Sequence, residues 1–224
     1  YVNSLAKKCG LATNYKALTH PSLPNYLAMV SGSTQGITDD YPPSVHPLAG
    51  PSIFGQLGAK WKGLQESMPS NCDLLNTKLY AVKHNPAAYF TKVANACDTQ
   101  DVALGSMPNA SARFTFVSPN LCSDTHDCSI ATGDAWLKTF IPKILNSSQY
   151  GYGKTAVVLT WDEDDHSSAN QVATVVIAPT VPAGTRSATA FTHYSLLRTT
   201  EQMLALPLLN NAATASSMRS AFHL

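Results

Sequence analysis

Thr155–His166 reads T-A-V-V-L-T-W-D-E-D-D-H, a continuous β-branched and apolar run that ends in four consecutive acids and a histidine. A strand without polar alternation is buried on both faces, as central strands of parallel sheets are. Val172 to Ile177 repeats the pattern, and Arg113 to Val117 alternates into a further strand. Between and after them lie helical periods. Asp134 to Leu145 carries Trp136, Leu137, Phe140, Ile141, Ile144 and Leu145 on one side, and Tyr194 to Leu204 forms a closing helix with His193 at its start. Strands alternating with helices, with polar residues at the strands' carboxyl ends, predict an α/β class: a mostly parallel central sheet flanked by helices. No repeat or interdomain linker interrupts residues 1–224, which read as a single domain.

Upstream, Val2 to Cys9 reads as a short helix closed by Gly10, and Tyr15 to Leu18 as a short strand that delivers the chain to Thr19–Gly32, THPSLPNYLAMVSG. There Pro24 suits the first position of a helix, Tyr26, Leu27, Met29 and Val30 follow at helical spacing, and Gly32 ends the element. Ser22 therefore sits at a helix N-terminus, where free N–H groups and the helix dipole favour an anion. Its hydroxyl is placed either to attack a phosphate or simply to cap the helix. Ser33 to Gly50, rich in Ser, Thr, Asp, Pro and Gly, reads as an irregular loop. Ile53 to Lys60 is helical, and Trp61 to Met68 fits a strand or a second helix. Leu79 to Val82 predicts a buried strand, then Lys83-His84-Asn85, then a Pro86-initiated helix through Phe90 to about Ala94. His84 there reads as a phosphate neighbour or as a cap. Ser118 to Cys128 is a loop dense in acids around His126.

With 44% apolar and 13% charged residues the chain is too apolar to be disordered. Fifteen basic against 14 acidic residues leave +1, with no Lys/Arg cluster, which argues against nucleic acid or an anionic membrane as the main electrostatic partner. No run reaches the roughly 18 apolar residues of a membrane span. The chain starts at Tyr1 without a charged or apolar leader, so any export signal is expected to have been removed or not included. The five cysteines lack the spacing of a zinc site. Cys122 and Cys128 bracket a polar loop as a short disulfide would, and Cys72 with Cys97 can staple the Tyr80–Phe90 region. Cys9 is left over, either for a partner upstream or as a free buried thiol.

Carboxylates crowded at a strand end repel one another unless a cation compensates them, and oxygen-rich sites suit hard ions such as Mg²⁺, Ca²⁺ or Mn²⁺. A solvated acidic loop or a purely structural Ca²⁺ site reads from the same residues. The combination THPSLPNY (Thr19–Tyr26), YAVKHNP (Tyr80–Pro86), SPNLCSDTHDC (Ser118–Cys128), TWDEDD (Thr160–Asp165) and THYSLLRTTEQMLALP (Thr192–Pro207) resembles the phosphoesterase family of bacterial-type phospholipases C and acid phosphatases, in the alkaline phosphatase superfamily. It looks most like small secreted acid phosphatases, including mycobacterial phosphoinositide phosphatases.

Carried over by position, the resemblance implies Ser22 as nucleophile and metal-held serine, with Asn25 able to contact a phosphate oxygen. Asp162 and Glu163 take the places of paired metal-binding acids for one divalent ion (Mg, Ca, Mn or Zn). His126 matches a histidine on the phosphoryl group that can protonate the leaving oxygen, His84 is a phosphate neighbour, and His193 stands where relatives carry a histidine before the final helix. Relatives also carry a metal-binding Glu-Asn pair on a first core strand, before the equivalent of Tyr1; the chain as given is expected to lack that strand and to be less active and less stable for it. The implied activity is metal-assisted hydrolysis of phosphate monoesters through a phosphoserine, on a phosphorylated small molecule or a phospholipid headgroup. A phospholipase C-type phosphodiesterase is the near alternative, and a non-catalytic extracellular binding protein the distant one. A serine esterase is disfavoured because Gly32-Ser33-Thr34-Gln35-Gly36 puts Ser one position early for a nucleophile elbow.

Overall fold

A computed structural model describes residues 1–105 and 112–224. In chain order, helix α1 (Val2–Lys8) leads to strands β1 (Gly10–Ala12) and β2 (Tyr15–Lys16), helices α2 (Ser22–Ser31) and α3 (Ile53–Leu57), and strand β3 (Trp61–Gln65). Helix α4 (Cys97–Gln100), strands β4 (Asp101–Ala103) and β5 (Phe114–Ser118), and helices α5 (Ile130–Leu145) and α6 (Ser148–Gly151) follow. The remainder holds β6 (Val157–Leu159), β7 (Thr174–Ile177), β8 (Arg186–Ser187), β9 (Phe191–Thr192), α7 (His193–Met203) and α8 (Arg219–Phe222). The α/β class holds, with sheets flanked by helices. The residues gather into two compact units, one of Val2–Asp40 with Ser148–Leu224 and one of Tyr41–Ser147 with Tyr1.

The first, split unit contains a sheet in the order β6-β7-β1-β8 and a separate β2-β9 pair. Strands β1 and β8, and β2 and β9, run parallel, whereas β7 lies antiparallel to both β1 and β6. All four residues of β7 are buried, so this strand, not the Thr155–Thr160 run, occupies the interior place predicted for a continuous apolar segment. The latter contributes only the three half-buried residues of β6, on the sheet edge. Tyr15, Val172, Val176, Phe191, Met218 and Phe222 form the core beneath the sheets. Helix α2 is buried on every residue and packs against α7, and its three polar side chains, Ser22, Asn25 and Ser31, are each hydrogen-bonded. It ends at Gly32, whose φ of 71° and contact with the Leu209 carbonyl leave no room for a Cβ.

In the Tyr41–Ser147 unit β3 lies between β4 and β5, parallel to both. Trp61 packs on Phe54 with ring centroids 4.5 Å apart, and Trp136 of α5 stacks on Phe140 and donates to Glu66 Oε1 at 2.8 Å. The Trp61–Met68 ambiguity thus resolves as a strand. Cys72–Cys97 and Cys122–Cys128 are disulfides and Cys9 is free, as the spacing allowed.

The strand expected over Leu79–Val82 does not form. Asn76 Oδ1 takes the Val82 N–H at 2.8 Å and Thr77 Oγ1 the Tyr80 N–H at 2.9 Å, so local side chains outcompete a ladder. The helix expected after Pro86 is broken into short three-ten turns, Pro86–Tyr89 and Thr91–Ala96. Between them Phe90 is extended and bridges to Leu48, whose N–H and C=O bond Tyr89 O and Thr91 N at 2.8 and 2.9 Å. A turn this short offers no appreciable dipole, and the helix-terminus argument for an anion at His84 falls with it.

Candidate active site

Within the split unit Ser22 is the first residue of α2 and is 1% exposed. Pro21 occupies the cap position and makes no side-chain cap bond. The Ser22 hydroxyl does not cap the helix: it donates to Glu163 Oε1 at 2.9 Å, linking the start of α2 to the acidic loop after β6. The anion preference of the helix N-terminus is met in part by the protein itself, because Asp40 Oδ1 accepts the Leu23 N–H at 2.9 Å and Pro24 has no N–H to offer.

The acidic loop is organised by Asp164, whose carboxylate accepts the backbone N–H groups of His166, Ser168 and Asn170 at 3.0, 2.7 and 3.0 Å. Asn170 in turn accepts the Asp164 N–H at 3.0 Å and donates to Thr19 O at 3.0 Å, fastening this loop to the segment before Ser22. His20 sits over the same loop, stacked on His166 with centroids 3.9 Å apart. Its Nδ1 is 2.6 Å from Glu163 Oε2, a close approach without hydrogen-bond alignment, and its Nε2 is 3.1 Å from Asp164 Oδ1.

Asp162 Oδ2 is buried and takes no hydrogen bond among the described residues. Burial, and then the charge of Asp162, push the Glu163 carboxyl up, against the hydrogen bond from Ser22 and the nearby His20, which pull it down. An orphaned buried oxygen beside a carboxylate that resists ionisation is what a pair of acids shows when a cation would relieve it. Ser22, Asp162 and Glu163 offer an all-oxygen donor set, which fits a hard divalent ion. The set is partial: among the described residues no group of three or more His, Cys, Asp and Glu side chains is disposed to hold a metal.

Asn25 and His193 both serve as braces in this structure. Wholly buried Asn25 accepts the Leu18 and Thr19 N–H groups at 3.0 and 3.3 Å and donates to Thr19 O and Pro21 O at 2.7 and 3.3 Å, so its amide holds the Ser22 loop. His193, also wholly buried, has Nε2 2.7 Å from the Asp162 carbonyl and Nδ1 3.1 Å from the Tyr15 hydroxyl. A carbonyl only accepts, so Nε2 carries the proton and Nδ1 accepts from Tyr15. Burial lowers the His193 pKa and raises that of Tyr15 well above its ordinary value, which keeps both neutral and the chain of bonds intact.

The other unit brings His84 and His126 together, ring centroids 5.7 Å apart. His84 is 4% exposed, with Nδ1 3.1 Å from Asp124 Oδ2. His126 is half-exposed, its Nδ1 2.7 Å from Asp127 Oδ1 and its Nε2 3.3 Å from Lys83 Nζ. Asp124 Oδ1 takes the His126 N–H at 2.8 Å inside the loop closed by Cys122–Cys128. Behind His84, buried Asn85 donates to Asp101 Oδ2 at 2.6 Å and to the Tyr80 hydroxyl at 3.0 Å, and accepts from Gln65 at 3.0 Å.

Ser22, Asp162 and Glu163 thus belong to one unit, with Asn25 and His193 behind them, and His84 with His126 to the other. Sequence reading passed over His20 and Asp40. For His20 the signal was present: an imidazole two residues before a candidate nucleophile.

The chain matches the model of the phosphoesterase family over residues 1–207. It is 36% identical over 221 residues to a phosphatidylinositol-3-phosphatase of Mycobacterium tuberculosis, an alignment covering 96% of this chain and 73% of that one. It is 30% identical to an acid phosphatase of Aspergillus fumigatus, with 92% of this chain and 50% of the relative covered. A phosphate-repressible acid phosphatase of Penicillium chrysogenum is likewise 30% identical, with 93% and 55% covered. The chain spans about half the length of these two fungal relatives.

Proposed function

The chain belongs to the phosphoesterase family and is by class a phosphoric ester hydrolase, and from that premise we propose that it hydrolyses phosphate monoesters through a phosphoserine on Ser22. The observation that carries this reading is the Ser22–Glu163 hydrogen bond, which aims a buried helix-initiating hydroxyl at a carboxylate instead of at a cap.

In the first step Ser22 Oγ forms a bond to phosphorus as the ester oxygen departs opposite it. Glu163 Oε1, which already holds the hydroxyl proton in a hydrogen bond, is its first acceptor. Water then displaces Ser22 from phosphorus and releases inorganic phosphate. Asn25 fixes the loop that carries Ser22, and the Tyr15–His193 pair fixes the backbone of Asp162. Asp162, Glu163 and Ser22 would hold a hard divalent ion, which when bound lowers the serine's pKa and offsets charge on phosphoryl oxygens. His126, with Asp127 on one ring nitrogen, suits proton delivery to a leaving oxygen, and His84 suits a phosphate contact; both roles rest on the family resemblance.

Monoesters are favoured over diesters because the relatives bear phosphatase names. The mycobacterial relative's name supports a phosphorylated lipid or a soluble phosphate as substrate. Two disulfides support a secreted protein folded under oxidising conditions; among the described residues no helix is long and apolar enough to cross a membrane. Divalent-metal-dependent turnover of an aryl phosphate, with the matching diester left intact, is the expected result. Preference for the diester would replace the monoester reading, and turnover by Ser22→Ala equal to wild type would remove the nucleophile.

A further inference from the structure

The Tyr41–Ser147 unit presents an apolar tip on a loop built to be rigid. Residues 74–79 are all exposed, and within them Leu74, Leu75 and Leu79 stand 47%, 73% and 39% exposed. The loop is closed at its base: the Tyr80 hydroxyl donates to Asp73 O at 2.8 Å, the Thr77 N–H donates to Tyr80 O at 2.9 Å, and Cys72 is tied to Cys97. Its polar side chains are turned onto its own backbone. Asp73 accepts the Leu75 N–H at 2.9 Å, Asn76 the Val82 N–H at 2.8 Å, and Thr77 the Tyr80 N–H at 2.9 Å. The leucines are left outward in a segment whose conformation does not need them, so their exposure is not explained by local folding. Lys78, between Leu75 and Leu79, is the exposed cation of the tip. Leu79 O accepts the Leu121 N–H at 2.9 Å, which joins the loop to the Ser118–Cys128 segment carrying His126.

We propose that the Asp73–Tyr80 loop is an interfacial docking element that inserts Leu74, Leu75 and Leu79 into a lipid surface beside the His84–His126 pair. The fit is to a lipid–water boundary: apolar side chains enter the acyl region while Lys78 stays at the level of anionic headgroups. A rigid loop loses little conformational freedom on insertion, so three leucines suffice for reversible attachment. The near neutrality of the whole chain fits a contact driven by apolar insertion, with charge secondary. This inference deepens the phosphatase reading by naming a lipid-borne monoester as substrate class, and it rests on that reading only for the substrate.

The test is co-sedimentation with vesicles of phosphatidylcholine mixed with phosphatidylserine, neither of which is a phosphate monoester, so that binding is read apart from the active site. Wild type should partition onto them, and Leu74→Asp with Leu75→Asp should weaken partitioning by about tenfold or more, while turnover of a soluble aryl phosphate stays at the wild-type rate. Lys78→Glu should weaken binding to these vesicles and leave binding to pure phosphatidylcholine as it was. Equal partitioning of wild type and the leucine variant, or no partitioning of wild type, would overturn the proposal. So would self-association in solution that the leucine variant abolishes while vesicles retain neither protein. Loss of vesicle binding in an otherwise inactive protein would support the docking loop and contradict the phosphatase reading.

Discussion

The Ser22 hydroxyl and the Glu163 carboxylate, 141 residues apart in sequence, meet at 2.9 Å. The bond joins the first residue of a fully buried helix to a loop whose own shape is set by Asp164. Because both sides are braced, by Asn25 on one and by the backbone bonds of Asp164 on the other, the hydroxyl is held in one orientation.

Glu163→Gln keeps the shape and an acceptor oxygen for Ser22 but removes the charge and the base. Turnover is expected to fall by about 10² to 10⁴, with a thermal midpoint close to wild type or above it, since burial opposes the charge that is lost. A rate unchanged by the substitution would separate Glu163 from the chemistry.

Asp162→Asn with Glu163→Gln should abolish binding of a divalent ion measured by calorimetry, whereas wild type should bind more tightly as pH rises through the carboxylate range, because the donors must ionise first. Equal metal affinity in the double variant would make the acid run a solvated loop.

His193→Ala leaves Tyr15 and the Asp162 carbonyl without their shared partner in a fully buried place. We expect a loss of about 2–4 kcal/mol in stability from the cavity and the unpaired groups, and weaker metal binding through displacement of Asp162. Tyr15→Phe, which removes only the hydroxyl, should cost about 1–2 kcal/mol. Denaturant unfolding checks both.

Asp101 supplies a pH dependence whose sign is fixed. It is wholly buried, and burial pushes its carboxyl from an ordinary 3.8 to about 6, against hydrogen bonds from Asn85 and Gln65 that lower it. The folded value lies above the unfolded one, so the contribution to stability is full below about pH 4 and is lost as pH rises through 6, about 3 kcal/mol at most. Glu201, pushed by burial to about 7, adds in the same direction. This part of the stability should therefore decline from pH 4 to pH 7, while buried His193, whose pKa burial lowers, contributes in the opposite direction, so the assignment is read as a difference: the stability of wild type relative to Asp101→Asn should fall over that range. A difference between wild type and Asp101→Asn that stays level or rises over this range would contradict the assignment.

What the sequence made legible was local. Gly32 ends α2 because it acts on its own backbone, whereas the helix starts at Ser22, two residues before the Pro24 expected to open it, and the cysteine spacings allowed both disulfides without fixing them. Which of two apolar runs is interior was not legible: Thr155–Thr160 and Val172–Ile177 have the same pattern, and only pairing on both sides distinguishes β7 from β6. The failed strand at Leu79–Val82 turned on side-chain bonds from Asn76 and Thr77, which no apolar pattern records. At the site, residue types were readable but engagements were not. Asn25 and His193 look like substrate contacts in sequence, and in the structure their polar atoms hold the backbone of neighbouring segments.

The central claim is a covalent phosphoryl group on Ser22. The direct measurement is acid quenching of the metal-supplemented enzyme during turnover of a ³²P-labelled phosphate monoester, followed by peptide mapping of the label. The account predicts acid-stable label on the peptide containing Ser22, none in Ser22→Ala, and loss of turnover in that variant with the fold retained. Turnover by Ser22→Ala at the wild-type rate, or label on another residue, would contradict it.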